Sequence, residues 1–172
     1  MRVTEYGYCF IAESLTWPSA DEVLHPGTNP LNSAESLTKH DTLTCLGQFD
    51  CIIATNVLNF IYDYDSAVHG LALMVKQSGV CLCTVAGLCQ VSRYDYDRWG
   101  DYWRFNDMSI RKIFERYFDQ IEVMPYGNAP LAASFVMGLS QEDVPPRFFE
   151  ICDPDYQILI TVKASSPKIF VD

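Results

Sequence analysis

At 172 residues the chain suits one domain, long enough to bury roughly two-thirds of the surface its unfolded form exposes. It is 49% hydrophobic, yet no apolar run approaches the ~18 residues of a membrane-spanning helix, so a soluble globular fold is expected and a membrane partner is not. The formal net charge of −10 sets the overall field against phosphate backbones, and no local basic patch offsets it, which argues against a nucleic-acid partner.

Residues 2–6 are a short β-leaning run, and Gly7 supplies the permissive backbone of a sharp strand-to-helix turn. A short helix over residues 8–15 follows, stopped by Trp17-Pro18. Residues 21–25 are a candidate second strand, closed by Pro26-Gly27 and Asn29-Pro30. Residues 31–48 are polar and read as loop, and a loop that long inside a compact domain signals an element the pattern does not reveal. Phe49-Asp50-Cys51-Ile52-Ile53-Ala54-Thr55 is the clearest strand, near-continuously apolar as a parallel strand buried on both faces requires. A helix is predicted over residues 65–76, with Ala67, Leu71, Met74 and Val75 at helical spacing and Gly79 as its left-handed terminator.

Residues 79–85 are a further buried strand. The segment from Ser92 to Phe105 then gathers two of the three tryptophans and both signs of charge, with neither strand alternation nor a helical stripe. It is either the wall of a ligand site or a satellite core under a long loop. Asp107 and Ser109 are candidate caps for a helix over residues 110–118. A strand at 121–124, a helix at 130–139 and a last strand at 157–162 complete the order. Alternation of this kind implies an open, mostly parallel α/β sheet with helices on both faces. Residues 1–164 are expected to form one domain and residues 165–172 a frayed tail.

The seven cysteines, Cys9, Cys45, Cys51, Cys81, Cys83, Cys89 and Cys152, fall mostly inside apolar runs, and no pair has zinc-knuckle spacing. They read as reduced core thiols of a cytoplasmic protein, with no metal site and no secretory signal expected. In such a sheet ligands lie at the carboxyl ends of the strands, which singles out residues 5–8, 25–27, Thr55 with Asn56, and 86–105. Glu5-x-Gly7 falls short of a glycine-rich dinucleotide fingerprint; it suits a nucleoside ligand or an ordinary strand turn.

Phe49-Asp50-Cys51-Ile52-Ile53, Met74-Val75-Lys76-Gln77-Ser78-Gly79-Val80 and Ser92-Arg93-Tyr94-Asp95-Tyr96-Asp97-Arg98-Trp99-Gly100-Asp101-Tyr102-Trp103-Arg104-Phe105 together resemble the class I S-adenosylmethionine-dependent methyltransferases, nearest a bacterial type 11-like group. The resemblance implies a Rossmann-like three-layer α/β/α sandwich with an antiparallel last strand, and S-adenosylmethionine as cofactor. It matches Glu5 and Gly7 to the turn at the methionine end, Glu35 or Ser36 to the acid facing adenine, and Thr55 with Asn56 to the turn facing the methyl group. His25 and Pro26 stand where the family carries a ribose-binding acid, and Lys76-Gln77-Ser78-Gly79 replaces its Lys-Pro-Gly-Gly. The implied activity is methyl transfer to a small-molecule acceptor such as a sugar or secondary metabolite. Asp95, Asp97, Asp101 and Tyr94 are the candidate bases. Arg93 and Arg98 are candidates to dock an acceptor carboxylate or phosphate, as Arg104 also is. Trp99 and Tyr102 are candidates to stack on a ring, while Trp103 and Phe105 pin the loop. The alternative is an inactive methyltransferase-like domain that serves as a binding module. Oligomeric state is not encoded in any of these signals.

Overall fold

The structure, a computed structural model, describes residues 2–4, 7–13 and 48–169. Six strands form one sheet in the order β1-β2-β3-β4-β6-β5: β1 (Arg2–Thr4), β2 (Gly7–Glu13), β3 (Phe49–Thr55), β4 (Val75–Ala86), β5 (Phe118–Tyr126) and β6 (Leu159–Pro167). β2, β3 and β4 are parallel neighbours. β6 runs antiparallel to both β4 and β5, and β1 folds back on β2. Strands β2 to β5 therefore share a direction, and their carboxyl ends line one edge. The described helices are α1 (Tyr64–Met74), α2 (Arg93–Tyr96), α3 (Asp107–Phe114) and α4 (Ala129–Val136). This is a mixed α/β fold of the Rossmann-like kind, with the expected antiparallel last strand and a second reversed strand in β1. Among the described residues no helix is long and apolar enough to cross a membrane.

Strand pleat decides where the core sits, because alternate side chains face opposite ways. Ile52, Cys81 and Ala164 lie in register across β3, β4 and β6, and Ala54, Cys83 and Val162 form the next rung. All six are buried, and Val68 and Leu71 of α1 with Ile110 and Phe114 of α3 join the same cluster. Each fully buried Ile or Phe here contributes about 1.5–3 kcal/mol. The opposite face is more open: Leu82 is 38% exposed, and beside it Lys163 pairs with Glu122 at 2.8 Å. The Cys81 thiol faces the core, where burial pushes its pKa up to about 12.

Several sequence expectations change. Residues 8–13 are strand, not helix: β2 pairs with β3 from Cys9↔Cys51 to Glu13↔Thr55, and Thr4↔Gly7 closes a hairpin with β1. Tyr8-Cys9-Phe10-Ile11 is aromatic and β-branched, which favours a pleated strand beside β3 over a helix. Gly7 consequently opens β2, at the end of the sheet away from Thr55. Gly79 does not end a helix: α1 stops at Met74, Val75 is already extended, and Gly79 lies within β4 outside the positive-φ glycines. A Cβ there would stand 2.9 Å from the carbonyl oxygens of both Phe49 and Asp50, so close approach of β3 is what requires glycine. The shift in register from Phe49↔Val75 to Cys51↔Val80 marks this irregular stretch.

The cap of α3 is Asn106, whose side chain accepts from the Ser109 amide while the Ser109 hydroxyl accepts from the Asn106 amide. Ser109 is thus half of a capping box, and Asp107 falls in the first turn. α3 also ends at Phe114, earlier than expected, because Phe118 already begins β5. β6 continues through Pro167, with Ser165 paired to both Val80 and Gln120, so the last strand extends into the stretch expected to be tail.

Candidate functional site

The candidate site is the carboxyl edge where β3 and β4 end side by side. Thr55 pairs with Thr84 in the ladder, and Asn56 follows at φ 50°, a left-handed conformation that asparagine tolerates. The Asn56 amide donates to the Thr84 carbonyl at 2.9 Å and to Thr84 Oγ1 at 3.1 Å. Both predicted residues, Thr55 and Asn56, therefore sit at this edge with a third polar residue, Thr84. Glu5, His25, Glu35 and Ser36 lie outside the described residues. Gly7, at the far end of β2, is not brought to this edge.

β4 leaves the sheet at Gly87. Its amide donates to the Ile158 carbonyl at 2.9 Å, and a Cβ would collide with the Gln157 carbonyl oxygen. The Leu88 amide donates to the same Gln157 carbonyl at 2.7 Å. At the other end of the loop, the Phe105 amide returns to the Ala86 carbonyl at 2.9 Å. The 88–105 loop thus begins and ends on one strand terminus.

Its middle is held by Asp101. That side chain is 1% exposed and receives two hydrogen bonds from the Arg104 guanidinium, at 2.5 and 2.7 Å, and one from the Ser92 amide at 3.0 Å. The hydrogen bonds from Arg104 hold the Asp101 carboxyl below its ordinary value, with smaller contributions from Ser92 and from the Asn59 side chain. Arg104 also donates to the carbonyls of Gln90 and Trp103. The Asp95 side chain is buried, accepts the Ser92 hydroxyl at 2.5 Å, and belongs to α2, whose carbonyl at Asp95 gathers the amides of Arg98, Trp99 and Gly100. Trp103 donates its indole N–H to the Ile61 and Tyr62 carbonyls, both at 3.1 Å, and Phe105 is buried against Tyr64.

Other side chains of the loop face outward. Tyr94, Trp99 and Tyr102 are each about half exposed or more. Arg98 lies over the Tyr94 ring at 3.6 Å and Arg93 over Tyr96 at 5.1 Å, and among the described residues neither arginine makes an ion pair. Asp97 is exposed, with no hydrogen-bond or ion-pair partner for its carboxylate among the described residues.

Sequence reasoning missed Asn59. It sits in the 3-10 turn Leu58–Phe60, is 4% exposed, and its carbonyl accepts the amides of Tyr102 and Trp103 at 2.9 and 3.3 Å. Its Oδ1 is buried with no hydrogen-bond partner among the described residues. The available signal was a polar residue inside the apolar run Val57-Leu58-Asn59-Phe60-Ile61.

No protein-family model and no curated protein sequence matches the chain. Solved structures to which the chain is similar include methyltransferases. Phosphoethanolamine N-methyltransferase 2 of Haemonchus contortus, in complex with S-adenosyl-L-methionine, is 18% identical over 70% of this chain and 34% of its own, with a TM-score of 0.45. The N-methyltransferase NodS of Bradyrhizobium japonicum, in complex with S-adenosylhomocysteine, is 14% identical over 71% and 48%, at 0.41. A possible histamine N-methyltransferase of Thermotoga maritima is 12% identical over 70% and 56%, at 0.46. The matches span about a third to just over half of these larger proteins.

Proposed function

We propose that the chain is a class I S-adenosylmethionine-dependent methyltransferase domain of the three-layer α/β/α type, acting in the cytoplasm on a small-molecule acceptor such as a sugar or secondary metabolite. The observation that carries this reading is the joining of two loops at one edge. Asn56 is locked onto Thr84, and the aromatic loop after β4 is bonded to Asn59 on the turn that follows Asn56. An edge with threonine hydroxyls, an asparagine amide and a buried Oδ1 lacking a donor fits a polar ligand of the adenosyl type.

When bound, S-adenosylmethionine supplies a methyl group already activated on sulfonium. In this assignment Thr55 and Asn56 contact the cofactor, and His25, Glu35 and Ser36 contribute as the family resemblance implies. Arg93 and Arg98 orient a carboxylate or phosphate of the acceptor, and Trp99 and Tyr102 stack on its ring. Asp97 is the carboxylate with acceptor capacity to spare and takes the proton of an acceptor hydroxyl, with Tyr94 the second candidate. Asp95 and Asp101, each engaged inside the loop, position it. Holding acceptor and methyl donor in line accounts for most of the rate in such a reaction.

Calorimetry with S-adenosylhomocysteine tests the reading. Binding is expected, weakened about three- to tenfold by Asn56→Ala through loss of one hydrogen bond. Absence of heat at millimolar ligand from folded protein refutes it. One observation favours a non-catalytic binding module: Gly7 stands at the end of β2 away from the site. Under that alternative, alkyl or glycan ligands bind and S-adenosylhomocysteine does not.

A further inference from the structure

α4 and the 3-10 turns Gln141–Asp143 and Pro146–Glu150 frame an open-sided cavity of about 230 Å³ lined chiefly by Leu131, Phe135, Leu139, Val144, Phe149 and Ile158. Phe135, Leu139 and Phe149 are each close to half exposed, so the cavity opens to solvent. Its frame is built, not slack. Asn128, 3% exposed, donates to the carbonyls of Phe148 and Ile151, both at 2.7 Å, and accepts the Leu131 amide at 2.9 Å. One buried amide thereby fixes the start of α4 to the second 3-10 turn and uses all of its hydrogen-bonding groups on structure.

The cavity lies at the same edge as the candidate site. β5 runs in the direction of β4, so α4, which follows the carboxyl end of β5, stands where β4 ends. Ile158, on the cavity wall, is the residue whose carbonyl accepts the Gly87 amide at the exit of β4. The aromatic loop and the apolar cavity are both anchored on that exit.

We infer that this cavity receives an apolar group of the acceptor, an alkyl or aryl moiety of about six to eight carbons, which makes the substrate amphipathic. The size follows from comparison with an apolar protein cavity of about 150 Å³ that accommodates benzene. A second copy of the chain is the poorer occupant. On the two 3-10 turns the exposed Glu142, Asp143 and Glu150 outnumber the one exposed cation, Arg147, so two copies would set one net-negative face against another on a chain already at −10. A neutral hydrocarbon group meets no such opposition. The inference rests on the methyl-transfer reading only in calling the ligand the acceptor.

The test is binding of n-alkyl glucosides from butyl to decyl, each below its micelle concentration, measured by calorimetry on the full chain. Affinity should rise about fourfold per methylene and level off near octyl, where the cavity is full. Phe149→Ser and Phe135→Ser, at half-exposed positions, should each weaken octyl glucoside at least tenfold and leave S-adenosylhomocysteine binding unchanged. Urea midpoints verify that both variants fold. A series with no dependence on chain length overturns the inference, as does a concentration-dependent dimer that Phe149→Ser dissociates. S-adenosylhomocysteine binding with a flat alkyl series removes the cavity assignment alone. Chain-length dependence without S-adenosylhomocysteine binding upholds an apolar-ligand site and removes the methyl-transfer reading.

Discussion

Asp101→Asn is the most direct probe of how the loop after β4 is held. The carboxylate is 1% exposed and carries the bidentate Arg104 pair together with the Ser92 amide, so the substitution leaves a guanidinium without its counter-charge. Breaking a buried pair from one side costs about 3–5 kcal/mol. Arg104 is 27% exposed and retains carbonyl partners at Gln90 and Trp103, which reduces the expected loss of unfolding free energy to about 2–3 kcal/mol. Urea denaturation followed by tryptophan fluorescence measures it well, because Trp99 and Trp103 flank the site. The midpoint should fall with the slope unchanged. The pH dependence supplies a second check. The Arg104 hydrogen bonds depress the folded-state pKa of Asp101, so the stabilisation is fully present above the unfolded carboxylate pKa of about 4 and is lost as pH falls through the lower folded value. The gap between wild type and Asp101→Asn should be constant from about pH 5 to 8 and narrow below about pH 4. A loss under about 0.5 kcal/mol at neutral pH, or a gap that does not narrow in acid, refutes the reasoning.

Gly87→Ala should destabilise the fold by about 1–3 kcal/mol or more, because the new Cβ meets the Gln157 carbonyl and stands 3.0 Å from Ile160 Cδ1; an unchanged melting temperature counts against this contact. Iodoacetamide labelling of the native protein at about pH 8, mapped by mass spectrometry, should modify exposed Cys152 quickly and spare Cys81 and Cys83, whose thiols burial pushes up. Rapid labelling of Cys81 would show that the sheet core opens more readily than its packing implies.

Local pattern located the elements whose burial is regular. β3, α1 and the latter part of β4 stand close to where periodicity places them, since each presents a continuous apolar face to the core. It failed where the deciding contact is distant in sequence. Gln77-Ser78-Gly79 has the composition of a helix terminus, yet the glycine answers to carbonyls on β3. Tyr8 to Ile11 is ambiguous between helix and strand until pairing with β3 is known, and with that pairing Gly7 opens β2 instead of a strand-to-helix turn. In the candidate site, the charge content of the 92–105 loop was legible, but the pairing was not. Nothing local distinguishes Asp101, which takes Arg104, from Asp97, which takes no partner among the described residues, because the selection depends on the Ser92 amide and on Asn59 from a separate turn.

The partition of aromatic side chains supports the proposed reading of that loop as a recognition surface over a satellite core. A satellite core would bury its rings together. Instead Trp103 and Phe105 do the burying, hydrogen-bonded or packed against the turn after β3, while Tyr94, Trp99 and Tyr102 remain about half exposed or more. The outward rings are not loosely held, since Tyr102 donates to the Trp99 carbonyl and meets Tyr62 edge-on at 5.5 Å. Rigid aromatic surface facing water carries a solvation cost that folding alone does not repay, and such surface is characteristic of recognition sites. With Phe105 bonded to Ala86, Leu88 to Gln157, the amides of Tyr102 and Trp103 to Asn59, and the middle of the loop pinned by Asp101, the exposed rings are presented on a fixed frame. Pre-organisation of that kind lowers the entropy lost when a ring-bearing ligand binds, which a core under a loop would have no reason to provide.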